Sequence, residues 1–265
     1  MRSVALNILV IVLVIVLVVV ALVIPAAAQI PRTADGKPDL SGVWQTGGVS
    51  LYGDPTEQPK PAPNATPPPR PAPAPYQEWT LAKVKEYTDG MAKADPLARC
   101  LLPGVPRIAT MPMPLEIVQT PKKVVILYEA FHAFRIIPAD GSKHIEDPDP
   151  SYMGDSVGRW EGDTFVVDVI GFNDKTWLDG RGHFHSDQLH VVERYRLTPE
   201  STIALEVTME DPKVMTRPWV INMTLRHPPR ADRVLEYECV ENNQDVPHLT
   251  GPEPGRQAGP QAAAH

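Results

Sequence analysis

The chain has 265 residues, 31 of them proline, and a formal net charge of -7. That balance provides no basic stripe for a phosphate backbone, so nucleic acid is excluded as the expected partner. Neither a Walker loop nor a dinucleotide fingerprint follows a strand pattern, and no cofactor is expected.

Residues 1–28 open with Arg2, continue as a long apolar run and end in Pro25-Ala26-Ala27-Ala28. A positive start, an apolar stretch and an A-x-A site form a secretory signal pattern. The run is also about long enough to span a bilayer, so retention as an N-terminal anchor is the alternative. Either way the body is expected outside the cytoplasm: periplasmic or secreted, or anchored and facing the periplasm. Membrane contact is expected only through this segment if it is uncleaved. In an oxidising compartment two lone cysteines pair, and a Cys100–Cys239 disulfide is predicted. Two buried free thiols are the alternative.

Residues 29–54 form an N-terminal arm holding a first strand, Leu40–Gln45. Residues 55–75 are a proline-rich spacer, which favours polyproline II and cannot join a sheet. It reads as an extended wrap or tether, or as a ligand for a proline-binding module. The main domain spans 76–248 and begins with one helix, Tyr76–Ala94. Leu81, Val84, Tyr87 and Met91 fall there at helical spacing, and Asp95-Pro96 ends it. Residues 249–265 are rich in Gly, Pro, Gln and Ala and are expected to be disordered.

Beyond residue 114 the pattern shortens to alternating segments. Strands are expected at Leu115–Thr120, Lys123–Ala130, Ala133–Pro138, Val157–Trp160 and Thr164–Ile170. Four more are expected at Gln188–Leu197, Thr202–Met209, Trp219–Arg226 and Arg233–Val240. Glu161-Gly162-Asp163 marks a hairpin. In the first strand, Gly42-Val43-Trp44 resembles the opening motif of lipocalins. The fold class is therefore mainly β: an antiparallel up-and-down, lipocalin-like barrel with one flanking helix. A two-layer sandwich is the alternative.

Alternation divides each strand into two faces. Leu189, Val191, Glu193, Tyr195 and Leu197 share the apolar, inward face. A lone carboxylate there costs several kcal/mol unless it is paired or protonated. Glu193 thus either meets an arginine or has the raised pKa of a general acid. Asp168 is a second half-buried carboxylate candidate.

The loop Gly171–Ser186 is longer than a hairpin needs, and long loops in compact domains tend to carry function. Folded over the barrel, it would bring polar groups to a cavity above Glu193. The catalytic candidates are Glu193, His185 and Asp179. The ligand-binding candidates are Asn173, Trp177, Arg181, His183, His190 and Tyr195. His183 and His185 have the H-x-H spacing of a metal pair, but His190 and Glu193 fall on opposite faces of their strand, so no metal is assigned. Asp147 and Asp149 lack EF-hand spacing.

The runs PDLSGVW, ARCLLPGVPR, GRWEGDTFVVD and HSDQLHVVERYR resemble those of a bacterial family of exported β-rich proteins. The resemblance covers most of the mature chain. It implies export and a β-rich domain, and it carries no reaction to transfer. Three functions remain open. One is cofactor-free acid–base chemistry (isomerase, dehydratase or hydrolase) on a small, largely apolar molecule. The others are a non-catalytic lipocalin-like carrier and an envelope structural protein.

Overall fold

The computed structural model describes residues 30–46, 73–229 and 231–239, without the side chains of 91–93. The expected signal segment, most of the proline-rich spacer and the C-terminal tail lie outside the described residues.

Among the described residues, nine strands form one sheet. They are β1 Gly42–Thr46, β2 Leu115–Gln119, β3 Lys123–Tyr128, β4 Phe134–Pro138, β5 Asp155–Glu161, β6 Thr164–Ile170, β7 His190–Leu197, β8 Ile203–Glu210 and β9 Trp219–Arg226. Their order is β4-β3-β2-β1-β9-β8-β7-β6-β5. Every hydrogen-bonded pair is antiparallel, and all but β1–β9 join sequence neighbours. The product is the expected nearly closed antiparallel barrel. Among the described residues one α-helix, α1 Leu81–Ala94, flanks it and packs Val84 and Tyr87 against the core.

The odd strand number has a geometric consequence. Directions alternate along both meanders and across β1–β9, so β4 and β5 run the same way. Their antiparallel ladders point away from the gap between them, which side chains bridge instead: Arg135 Nη2 donates to Ser156 Oγ at 2.9 Å. The connector 139–154 must therefore climb back along the barrel before β5 starts. It does so on the outside, where Ser151 bridges Phe172 and Asn173 N donates to Ser151 O at 2.8 Å.

The inward faces follow the alternation. Phe165, Val167 and Val169 of β6, Val191 and Tyr195 of β7, and Leu205, Val207 and Met209 of β8 are buried. Ile221, Met223 and Leu225 of β9 complete that wall. Trp44 of β1 is buried, stacked on His227 at 4.0 Å, with its indole N–H donated to Leu40 O. Gly158 leaves β5 room: a Cβ there would lie 2.5 Å from the Phe165 ring and 3.0 Å from Ile137. Gly158→Ala should cost about 1–3 kcal/mol by overpacking, read as a lower denaturant midpoint at unchanged slope.

Several boundaries differ from expectation. The helix is α only from Leu81; a 3₁₀ turn, Glu78–Thr80, precedes it, and Tyr76 instead pairs with Met215. The strand expected at Arg233–Val240 is absent over its described part, 233–239. With β9 already paired on both sides, no ladder is open to a following strand at that point. Instead the segment docks across the β3–β4 turn: Leu235 N donates to Glu129 Oε2 and Tyr237 N to His132 Nε2, both at 2.9 Å. The Cys100–Cys239 disulfide fastens it there, as predicted.

Candidate functional site

The loop between β6 and β7 folds against α1 at one end of the barrel. Thr88 Oγ1 donates to Arg181 O at 2.8 Å, and Tyr87 lies against Trp177 with ring centroids 5.0 Å apart. Trp177 pairs with Phe184 in a short bridge, and Leu178 N donates to His183 O. Gly182 sits directly beneath the helix, where a Cβ would meet Tyr87 at 2.7 Å.

This fold of the loop unites Asp179 and His183. Asp179 is buried, and its Oδ2 lies 2.5 Å from His183 Nδ1. Its Oδ1 accepts the Arg181 backbone N–H at 2.8 Å. A carboxylate only accepts, so Nδ1 carries a proton, and in the neutral ring Nε2 bears the lone pair. The ring stacks on Tyr76 at 5.5 Å and meets Trp219 edge-on at 5.3 Å. Its side chain keeps 21% exposure. A buried carboxylate orienting a partly exposed imidazole is an arrangement suited to proton transfer. Tyr76 stays protonated: burial, then the charges of Asp179 and Asp211, push its hydroxyl well above the ordinary range. That hydroxyl donates to Phe184 O.

His185 lies deeper. Its Nδ1 donates to Ser186 O at 2.9 Å, so in the neutral ring Nε2 accepts the Thr176 hydroxyl at 2.7 Å. Burial lowers its pKa, against the Ser186 bond and the charges of Asp211 and Asp174. The folded state thus binds fewer protons than the unfolded chain, where histidine titrates near about 6.5. Its contribution to stability is full above that value and is lost as pH falls below it. A plot of Tm against pH should decline below about pH 6.5, and His185→Gln should flatten that part of the curve.

Glu193 and His185, expected as partners, are not joined. Glu193 points into the barrel at 0% exposure and meets an arginine, the alternative open from the sequence. Arg135 Nη2 lies 2.7 Å from Glu193 Oε2, outside hydrogen-bond geometry, and Tyr195 donates to Glu193 Oε1 at 3.0 Å. Tyr195 therefore belongs to this interior group and not to the loop. Asn173 serves the backbone, its Oδ1 accepting from Lys175 N. A groove of about 410 Å³ lies on the outer face of β6–β9, lined by Thr164, Arg194, Arg196, Glu206, Asn222 and Thr224 among others. None of the residues expected to form the site lines it.

His190 faces outward, opposite to Glu193 as parity required. It joins a chain of alternating acids and imidazoles: Asp155–His144 at 2.7 Å, His144–Asp168 at 2.9 Å and Asp168–His190 at 3.1 Å. Partial burial pushes the Asp168 carboxyl up, but the hydrogen bonds from both histidines outweigh this and hold it below its ordinary value. Its contribution is thus present above the usual aspartate range and lost as pH falls through the lowered value. Asp168→Asn should cost about 1–2 kcal/mol near neutral pH and nothing in strong acid, measured by chemical unfolding at both pH values. His144, Tyr76, Thr176 and Arg135 carried no motif. Arg135 alone had a signal, as an arginine inside an apolar strand.

The class that fold and site define is a nearly closed antiparallel β-barrel with a loop-borne acid–imidazole pair. No protein-family model matches the chain, and no curated protein matches it.

Proposed function

We propose that this is an exported β-barrel protein performing cofactor-free acid–base chemistry on a small, largely apolar molecule at the loop end of the barrel. His183 Nε2 is the proton-transfer atom, and Asp179 fixes the ring and stabilises its charged form. The observation that carries this reading is the 2.5 Å contact between buried Asp179 and partly exposed His183. Trp177 and Arg181, on the same loop, are the proposed ligand contacts. The disulfide and the N-terminal apolar run support a periplasmic or secreted setting.

The test is a panel of ketones and esters scored for α-proton exchange in D₂O and for hydrolysis. His183→Gln and Asp179→Asn should each lower the rate at least about 100-fold at unchanged Tm. Full activity in His183→Gln would overturn the assignment. A second reading, an envelope structural protein, is favoured by one observation: Glu193, the expected buried acid, lies 2.7 Å from Arg135.

A further inference from the structure

The outer wall of the barrel has two characters. On β7 and β8 most outward positions are charged or polar, among them Arg194, Arg196, Glu206 and Thr208. On β2–β4 they are mostly apolar. Register sets Val118, Val125 and Ile136 side by side in one row, and Leu127 beside Phe134 in the next. Phe134 is 62% exposed, Ile136 55% and Val118 41%. Single exposed apolar side chains mean little, but a contiguous patch on adjacent strands marks an interaction surface.

Two charged residues bound this patch at opposite corners. Glu116 shares the row of Leu127 and Phe134. Lys123 lies beyond Val125 on the other side, level with Pro138. Neither makes an ion pair among the described residues.

We propose that this face is the contact of a weak symmetric dimer, in which a second copy of the chain covers the apolar rows and each Glu116 meets the partner's Lys123.

Symmetry and charge select this occupant. A two-fold contact sets the same face against itself. With the axis in the interface, across the strands and through the Val125 row, strand direction reverses between the copies. The Lys123 row of one copy then lies over the Glu116 row of the other. Packed sheets stand about 10 Å apart, a gap that a lysine and a glutamate span together. Both charges are thus paired twice around the buried apolar rows. A bilayer surface fits less well, since its anionic headgroups attract Lys123 but repel Glu116. Three strands make a small patch, so the contact belongs to the transient class, below about 1,200 Å² in total. These strands do not carry the His183 loop, and the test reads association and not turnover.

The test is sedimentation equilibrium of the exported protein up to about 1 mM, where a monomer–dimer equilibrium is expected. Phe134→Ser should weaken it at least about 10-fold at unchanged Tm. Glu116→Lys and Lys123→Glu should each abolish it, because like charges then face each other. An equimolar mixture of these two variants should associate again, since each supplies the charge the other lacks. A monomer at every concentration, or a dimer indifferent to Phe134→Ser, would overturn the interface. A mixture that stays monomeric would overturn the charge pairing. Dimers formed only by a chain ended after Cys239 would assign the face to residues 240–265. Phe134-dependent binding of a monomer to phosphatidylglycerol vesicles would assign it to a bilayer. Either result overturns the second copy. Should a charge variant fail to fold, Phe134→Ser decides.

Discussion

Arg135→Met is expected to destabilise the protein by about 3–5 kcal/mol, among the largest effects of any single side chain here. Glu193 would be left charged at 0% exposure with the Tyr195 hydroxyl as its remaining neighbour. The double variant Arg135→Met/Glu193→Leu should recover most of the loss, because neither charge then needs burying. A thermodynamic cycle over the two sites measures this through chemical unfolding. Equal losses in the single and double variants would mean that the pair is solvated in a way its burial denies. The contrast matters for function as well: Glu193 faces Arg135 at 2.7 Å in the interior and not the loop that carries His183.

The second large effect concerns the disulfide. Cys100 and Cys239 are 139 positions apart. Closing so long a loop restricts the unfolded chain by about 5 kcal/mol in the entropy account, an upper figure. Cys100→Ala/Cys239→Ala should therefore lower stability by about 2–5 kcal/mol, seen as a shifted denaturant midpoint. The segment 231–239 would then rely on the Glu129 and His132 hydrogen bonds and on Phe131 against Tyr237. Limited proteolysis should cut there first in the reduced protein.

Alternation made much of this fold legible. In β7 through β9 one face is apolar but for Glu193, so the inward set could be written down residue by residue, that carboxylate included. Turn residues placed the hairpins for the same reason. β4 was different: Phe134 and Ile136 on one face and Arg135 and Ile137 on the other are both largely apolar. Period-two reading cannot choose between such faces, and the arginine partner of Glu193 stayed hidden. Ends of elements also escaped. Arg233–Val240 has strand-like composition, but whether a strand forms depends on a free ladder, which only the assembled sheet reveals.

The loop was readable as a functional candidate from length and polarity. Its pairings were not. His183 and His185 are separated by one residue and look equivalent in sequence, yet one is held by Asp179 at the surface and the other is sealed against Thr176. Backbone path decides that difference. Tyr76 reaches the site from more than a hundred positions away, through its own pairing with Met215.

The break between β4 and β5 bears on how the chain reaches its native state. Residues 115–138 and 155–226 are two meanders whose pairings are local, so each closes only short loops as it forms. Joining them falls to β1, which must find β2 and β9 at once, and it meets β9 through only Gln45–Arg226 and Thr46–Leu225. Nearly the whole cost of long-range closure thus falls on one short strand. Mutations in β1 should slow refolding, whereas mutations near the β4–β5 break should act mainly on the rate of unfolding.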